Sequence, residues 1–407
     1  MLLQRLVSKT VGGKPKLRRA SKSCGASLAT TNTTDNDLRK LALEHLALLL
    51  LQEGQRTAAE AILKSEGYTH TFADCVVRYV VPNRPAETTG SRRRVIAANT
   101  DADKCVRVYS DALPPHILKT LQTAFAANSS FWSEHNYSTT TIGGEKKSGY
   151  FSYAHPAAEQ SSARNIIQQV ATHALNLYRK DFPALSECKF VEWWAHCRPH
   201  SDGHQMHFDS DDEGVGGVRN PIASAVIYLS TTALGGPTLV TTQRLGDTDV
   251  AHNGWLVHPL CNAMAVFDGK LLHGVIPGHS LPPKHARAAK APDADAPVGG
   301  AASARFSLPM GPRRVTLMVA FWRQLRLRPF CKHAPCAAQR FPSGPAASGI
   351  TWPTLLAATP ESVWATETAP PRPVAVQPVA PIWSSMGDRA AERIPAYTDC
   401  FQYPQRP

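Results

Sequence analysis

Hydrophobic and polar positions follow three regimes along the chain. Residues 35–66 carry apolar positions at helical spacing, at Leu38, Leu41, Leu46 and Leu49, with Asp37 as a cap and Gly54 as an interruption. A second short helix is predicted over 57–63. No second copy of this pair follows, which favours a packing module over a helical repeat. From residue 74 the pattern changes. CVVRYVV (75–81), CVRVYS (105–110) and YFSYAH (150–155) read as strands, and 111–125 and 161–180 as helices.

After residue 190 only short strand-like runs remain, separated by turns: FVEWWAH (190–196), ASAVIYL (223–229), PTLVT (237–241), GWLVH (254–258), AMAVF (263–267) and VTLMVAFW (315–322). Helices followed by a dense series of β segments predict an α+β domain, its core a sandwich or barrel of about eight strands. Residues 279–311, rich in Ala, Pro, Gly and basic side chains without a period, read as a flexible insertion between strands. The tail over 324–407 holds 14 prolines, too many for regular elements. With Trp352, Trp364 and Trp383 it is expected to lie extended against the domain. The expected boundaries are thus a basic 1–34 segment, a helical segment over 35–70, a domain over 74–323 with its core at 190–323, and the tail.

Composition removes several classes. The longest aliphatic run, 46–51, is far short of the roughly 20 apolar residues of a membrane-spanning helix. Nine irregularly spaced cysteines do not form a disulfide framework, and they point to a reducing, intracellular compartment. The net charge of +12 suggests nucleic acid until it is mapped. Residues 1–34 carry +7 and 279–340 carry +9, so the rest of the chain is mildly acidic and offers no continuous basic groove. The 1–34 composition suits either an organellar transit peptide or a basic cytosolic tail.

Candidate chemistry concentrates between Glu192 and Trp322. In His207-Phe208-Asp209 an extended chain puts an imidazole and a carboxylate on one side, as two neighbouring ligands of a metal. A third ligand from another strand would complete a facial triad with open positions, the arrangement of non-haem Fe(II) oxygenases. His200-Ser201-Asp202 fits the same short pattern, but its surroundings read as a turn, whereas His207 sits just before an apolar strand. His273, just after one strand and at the head of another, is the candidate third ligand. Taken alone it also suits a half-buried histidine bonded to a carbonyl.

The ordered set decides between these. His207/Asp209, Tyr228-Leu229, Gly235-Gly236-Pro237-Thr238, Phe267-Asp268-Gly269, His273-Gly274-Val275-Ile276-Pro277 and Arg314-Val315-Thr316-Leu317 together resemble the Fe(II)- and 2-oxoglutarate-dependent dioxygenases, in their prolyl 4-hydroxylase-like branch. The resemblance covers 190–323 well and 104–323 loosely. It implies a double-stranded β-helix, Fe(II) on His207, Asp209 and His273, and Arg314 on the distal carboxylate of 2-oxoglutarate, with Tyr228 a second contact or a core aromatic. It also implies dioxygen as co-reactant, ascorbate as reductant, and hydroxylation of an unactivated C–H bond on a protein or peptide, prolyl by default. Arg314 lies 41 residues after His273, much farther than in the family, and removing the insertion restores the gap. Arg313 remains a rival for the role.

The alternatives are a nucleic-acid dealkylase with the same cofactors, a non-catalytic binding module, and a cupin-type metal protein. A dealkylase expects two arginines six apart, where Arg314 is followed by Arg323. Asp211, Asp212 and Glu213 read as a solvated acidic loop, His196, His200 and His204 as ordinary polar residues, and Cys331, His333 and Cys336 as too few for a zinc site. Of Trp193 and Trp194, one is expected in the core and the other at the pocket wall.

Overall fold

The computed structural model describes residues 35–81, 105–135, 151–157, 165–211, 219–231, 234–247, 249–279, 313–326, 331–333, 352–357, 370–387 and 403–404. The 1–34 segment, nearly all of the insertion and much of the tail, with Trp364 and Cys336, lie outside the described residues.

Helices α1 (Asp35–Gln52) and α2 (Arg56–Ser65) form a hairpin about Gly54, whose φ of 77° suits glycine. Helix α1 is described from Asp35, so Asp37, the expected cap, lies inside the helix. Strand β1 (Tyr68–Phe72) and a helical turn α3 (Asp74–Val77) follow. The expected strand over 75–81 is therefore corrected. Val76 and Val77 are sequence neighbours and both buried, whereas a strand would send them to opposite faces. Arg56 pins the turn, donating to Asp74 Oδ1 and to Phe72 O.

Next come β2 (Val106–Ser110), α4 (Pro115–Ala124), α5 (Ser130–Glu134), β3 (Ser152–Pro156) and α6 (Ile166–Tyr178). The proline at the start of α4 costs no hydrogen bond there, and Asn165 caps α6 by accepting from the Gln168 N–H. The strand series is β4 (Phe190–Pro199), β5 (His204–His207), β6 (Ala223–Tyr228), β7 (Thr238–Arg244), β8 (Gly254–Val257), β9 (Met264–Asp268), β10 (Leu271–Val275) and β11 (Arg313–Trp322). His273 stands in the middle of β10 and not at a strand head.

The tail adds β12 (Cys331–His333), α7 (Trp352–Ala357), β13 (Arg372–Pro373), β14 (Gln377–Val379), β15 (Trp383–Ser385) and β16 (Tyr403–Pro404). The expectation of no regular elements in the tail is thus overturned. Proline is tolerated on sheet edges, and Pro378 lies on such an edge opposite Trp255.

One sheet has the order β12-β3-β4-β11-β6-β9-β2-β13 and a second β14-β8-β7-β10-β5; β1 sits between β15 and β16 in a third. All pairs are antiparallel except β3 with β12. Helices α4 and α6 cover the outer face of the larger sheet, where Ile117, Leu121 and Val170 share a core with Trp193, Val319 and Phe321. The outer face of the smaller sheet, through Met206, Leu239, Leu256 and Leu272, packs with Leu51, Leu63 and Phe72 of the N-terminal elements and with Ile382 and Trp383 of the tail. Contacts between the inner faces run from His196 to His204, from Tyr228 to Thr238 and from Phe267 to His273. No helix among the described residues is long and apolar enough to cross a membrane.

Candidate metal centre

His207 closes β5 and is paired in register with His273 of β10, so the two imidazoles share the inner face, with ring centroids 4.3 Å apart. The register shifts beside both. Asp209, two residues beyond His207, returns to the same side. Each of the three residues offers a ligand atom within 4.8 Å of the others.

Their hydrogen bonds leave the ligand atoms facing one another. His207 Nδ1 bonds Gln205 O at 2.9 Å and His273 Nδ1 bonds Leu271 O at 3.0 Å. A carbonyl only accepts, so each proton is held on Nδ1 and each Nε2 keeps its lone pair. Ser224 Oγ donates to Asp209 Oδ2 at 2.5 Å, and Asn220 Nδ2 to Asp209 O at 2.7 Å. Oδ1 is left 3.4 Å from His207 Nε2 and 3.7 Å from His273 Nε2. His273 Nε2 is buried without a hydrogen-bond partner. Two imidazole nitrogens and one carboxylate oxygen, with a buried nitrogen lacking a partner, are a donor set that fits Fe(II).

The electrostatics agree with that arrangement. Burial alone would push the Asp209 carboxyl up, but His273, His207 and the Ser224 hydroxyl more than offset it and hold it well below the carboxylate range. Burial, helped by His207 and opposed by Asp209, brings His273 down to about 4. His196 and His204 are also held well below the usual imidazole value, first by burial and then by the Arg198 charge.

Arg314 lies on the inner face of β11. It is buried and donates from Nη1 to Gly236 O at 3.2 Å. One glycine makes that approach possible, and the next lets the turn sit against the backbone after β10. Gly235 has φ 78°, and a Cβ there would lie 2.9 Å from Arg314 Cδ; a Cβ on Gly236 would lie 2.1 Å from Ile276 O. Thr316, two residues on, is paired with Tyr228, whose hydroxyl shares a 2.8 Å hydrogen bond with Thr238 Oγ1. Adjacent strand residues face opposite ways. Arg313 accordingly turns from this pocket toward the Cys197 thiol.

The competing His200-Asp202 pair is not drawn together. His200 Nδ1 accepts from Gly235 N at 2.9 Å and supports the glycine turn. Trp193 stacks on Tyr153 in the core, while Trp194, on the other face, donates from Nε1 to His196 Nε2 at 3.2 Å. Asp211 departs from the acidic-loop expectation. It is fully buried, and its Oδ2 accepts from Arg219 Nε at 2.8 Å and from Arg326 N at 2.7 Å. Asp212 and Glu213 lie outside the described residues, as do the side chains of Cys331 and His333.

Three residues of the site were not anticipated as such: Ser224, Arg198 and His204. A serine inside an apolar strand carries no sequence signal. Arg198 shares the inner face of β4 with Trp194 and His196, an i, i+2, i+4 series that alternation could have revealed.

No family model matches the chain, and no curated protein matches it. Among solved structures it is similar to a prolyl-4-hydroxylase from Pseudomonas putida, with 16% identity over 55% of this chain and 96% of that one and a TM-score of 0.31. It is also similar to EctD from S. alaskensis with bound Fe, with 14% identity over 61% and 86% and a TM-score of 0.33. A third is HygX from Streptomyces hygroscopicus with nickel and 2-oxoglutarate bound, with 9% identity over 56% and 87% and a TM-score of 0.29.

Proposed function

We propose that this protein is an Fe(II)- and 2-oxoglutarate-dependent dioxygenase that hydroxylates an unactivated C–H bond on a double-stranded β-helix scaffold. The observation that carries the reading is the convergence of His207 Nε2, His273 Nε2 and Asp209 Oδ1 across two strands, with the buried Arg314 on the same inner surface. Sheet orders β4-β11-β6-β9 and β8-β7-β10-β5, facing one another, support the scaffold assignment.

His207, Asp209 and His273 would hold the iron, which supplies activation of dioxygen for C–H oxidation when 2-oxoglutarate is bound. The protein's part is positional. Backbone carbonyls keep both Nε2 lone pairs available, and Ser224 occupies Asp209 Oδ2 so that Oδ1 points inward. Arg314 would pair in a two-pronged fashion with the distal carboxylate of 2-oxoglutarate, for which a planar guanidinium is suited, with the Tyr228 hydroxyl beside it. Phe267, against His273, limits water at the centre.

A protein or peptide substrate, prolyl by default, follows from the resemblance set out above. The dealkylase alternative expects a second arginine farther along the last strand, but Arg323 is exposed and paired with Glu187. Succinate release with Fe(II), 2-oxoglutarate and ascorbate is the test, comparing wild type with His207→Ala and Arg314→Ala. Turnover in wild type, lost in both variants, is expected. Absence of both turnover and Fe(II)-dependent 2-oxoglutarate binding in wild type would favour a non-catalytic module.

A further inference from the structure

Arg198 and Arg314 are directly opposed in the β4–β11 ladder, so both guanidiniums start on the inner face. They then diverge. Arg314 goes to Gly236 O at the buried end, and Arg198 Nη1 goes to Gly203 O at 3.3 Å, beside β5. One guanidinium suffices for one carboxylate of a dicarboxylate cosubstrate, and Arg314 already faces the pocket that would hold it. Arg198 therefore needs another explanation.

Its surroundings supply one. Arg198 Nε is buried and has no hydrogen-bond partner; the same is true of His204 Nδ1. The Arg198 charge acts on both His204 and His196. Asp202 also feels that charge, yet no ion pair within 4 Å joins Arg198 to any acid among the described residues. With the His204 proton on Nδ1, these two partnerless nitrogens leave a cost that a ligand oxyanion would remove. The location is informative too. His204 packs against His207, ring centroids 4.7 Å apart. His207 is the accessible ligand of the triad, 23% exposed at its side chain against 4% for His273. Arg198 and His204, both half-buried, thus stand on the side of the centre that solvent reaches.

We propose that Arg198 and His204 form an anion-recognition site beside the metal centre, which takes a carboxylate of the substrate and so selects substrates carrying one close to the oxidised carbon. This rests on the dioxygenase reading and narrows its substrate class. A guanidinium and an imidazole N–H, unlike a hydrophobic wall, reject a neutral isostere because their donors are then left unpaired.

The experiment uses the full chain loaded with Fe(II) and saturating 2-oxoglutarate without oxygen, following the absorption band of the iron–cosubstrate complex. N-acetylproline, which carries a carboxylate, is titrated against its neutral counterpart N-acetylprolinamide. Wild type is expected to prefer the carboxylate by about tenfold, the scale of one charge-assisted hydrogen bond. Arg198→Gln should abolish that preference while 2-oxoglutarate affinity stays within about twofold of wild type, and Arg198→Lys, which keeps the charge, should retain part of it. Equal response to both probes in wild type overturns the proposal. So does a weakened 2-oxoglutarate titration in Arg198→Gln, which would assign Arg198 to the cosubstrate pocket and leave the dioxygenase reading intact. Failure of wild type to form the iron–cosubstrate band would remove both readings.

Discussion

Strands β4 and β11 and strands β5 and β10 do opposite work within one fold. The first pair runs in unbroken register for ten residues, from Arg313 opposite Pro199 to Trp322 opposite Phe190. The second pair shifts register between His273 and Val275, and β10 shifts again against β7 between Leu271 and His273. A regular ladder spaces side chains evenly and suits packing. A local irregularity re-aims one side chain, and such features gather at active sites. Here the long ladder presents Trp193 and Val319 to the helices, while the irregular edge brings two imidazoles of different strands onto one carboxylate.

That contrast can be broken from either side. The largest effect is expected from His273→Ala, which removes a buried ligand: Fe(II) affinity should fall by more than about 100-fold, measured by anaerobic metal titration, with little change in the melting curve of the metal-free protein. Trp193→Ala should do the reverse. Losing a fully packed indole stacked on Tyr153 costs about 3–5 kcal/mol in denaturant unfolding, and metal affinity per folded molecule should be retained. If Trp193→Ala loses metal without losing stability, the division of labour is wrong.

Smaller effects sharpen the picture. Ser224→Ala frees Asp209 Oδ2, and metal affinity should drop by roughly tenfold, since the carboxylate is no longer held to one oxygen. Gly235→Ala combines a left-handed backbone with a contact on Arg314 Cδ, so 2-oxoglutarate affinity should suffer more than metal affinity, by about tenfold in cosubstrate titrations. The smallest effect concerns pH. Burial lowers His196 and His204 below their ordinary value of 6.5, so the unfolded chain binds more protons and metal-free stability should fall as pH drops through 6.5. Denaturant midpoints at pH 7 and pH 5 test this, and His204→Asn should reduce the difference.

The two pairs also differ in how far the sequence discloses them. Apolar runs such as AVIY and TLMVAFW announce β6 and β11 because both faces of those strands are buried. The convergence of His207, Asp209 and His273 was legible from ordered motifs, although their service as iron ligands is the proposal above. What stayed hidden depends on long-range contacts. YTHTF has the composition of a turn or a strand alike, and becomes β1 because Trp383 and Tyr403 lie beside it. CVVRYVV looks like a strand, but Arg56 folds its start into a helical turn. The apolar tail residues gain meaning only against β8 and β1, and the burial of Asp211 only through Arg219 and Arg326.

The pairing of β1 with β15 carries a consequence for biosynthesis. His70 finds Ser385, Phe72 stacks on Trp383 at 4.5 Å, and the Ala73 N–H bonds Ile382 O. A ribosome releases the α1–α2 hairpin and β1 well before these partners, so β1 must wait for about three hundred further residues before this strand is paired. Contacts between such distant residues form slowly, and an unpaired strand invites wrong partners in the interval. Chains that stop short of the C-terminal segment would leave β1 without β15 and the edge of β8 without β14.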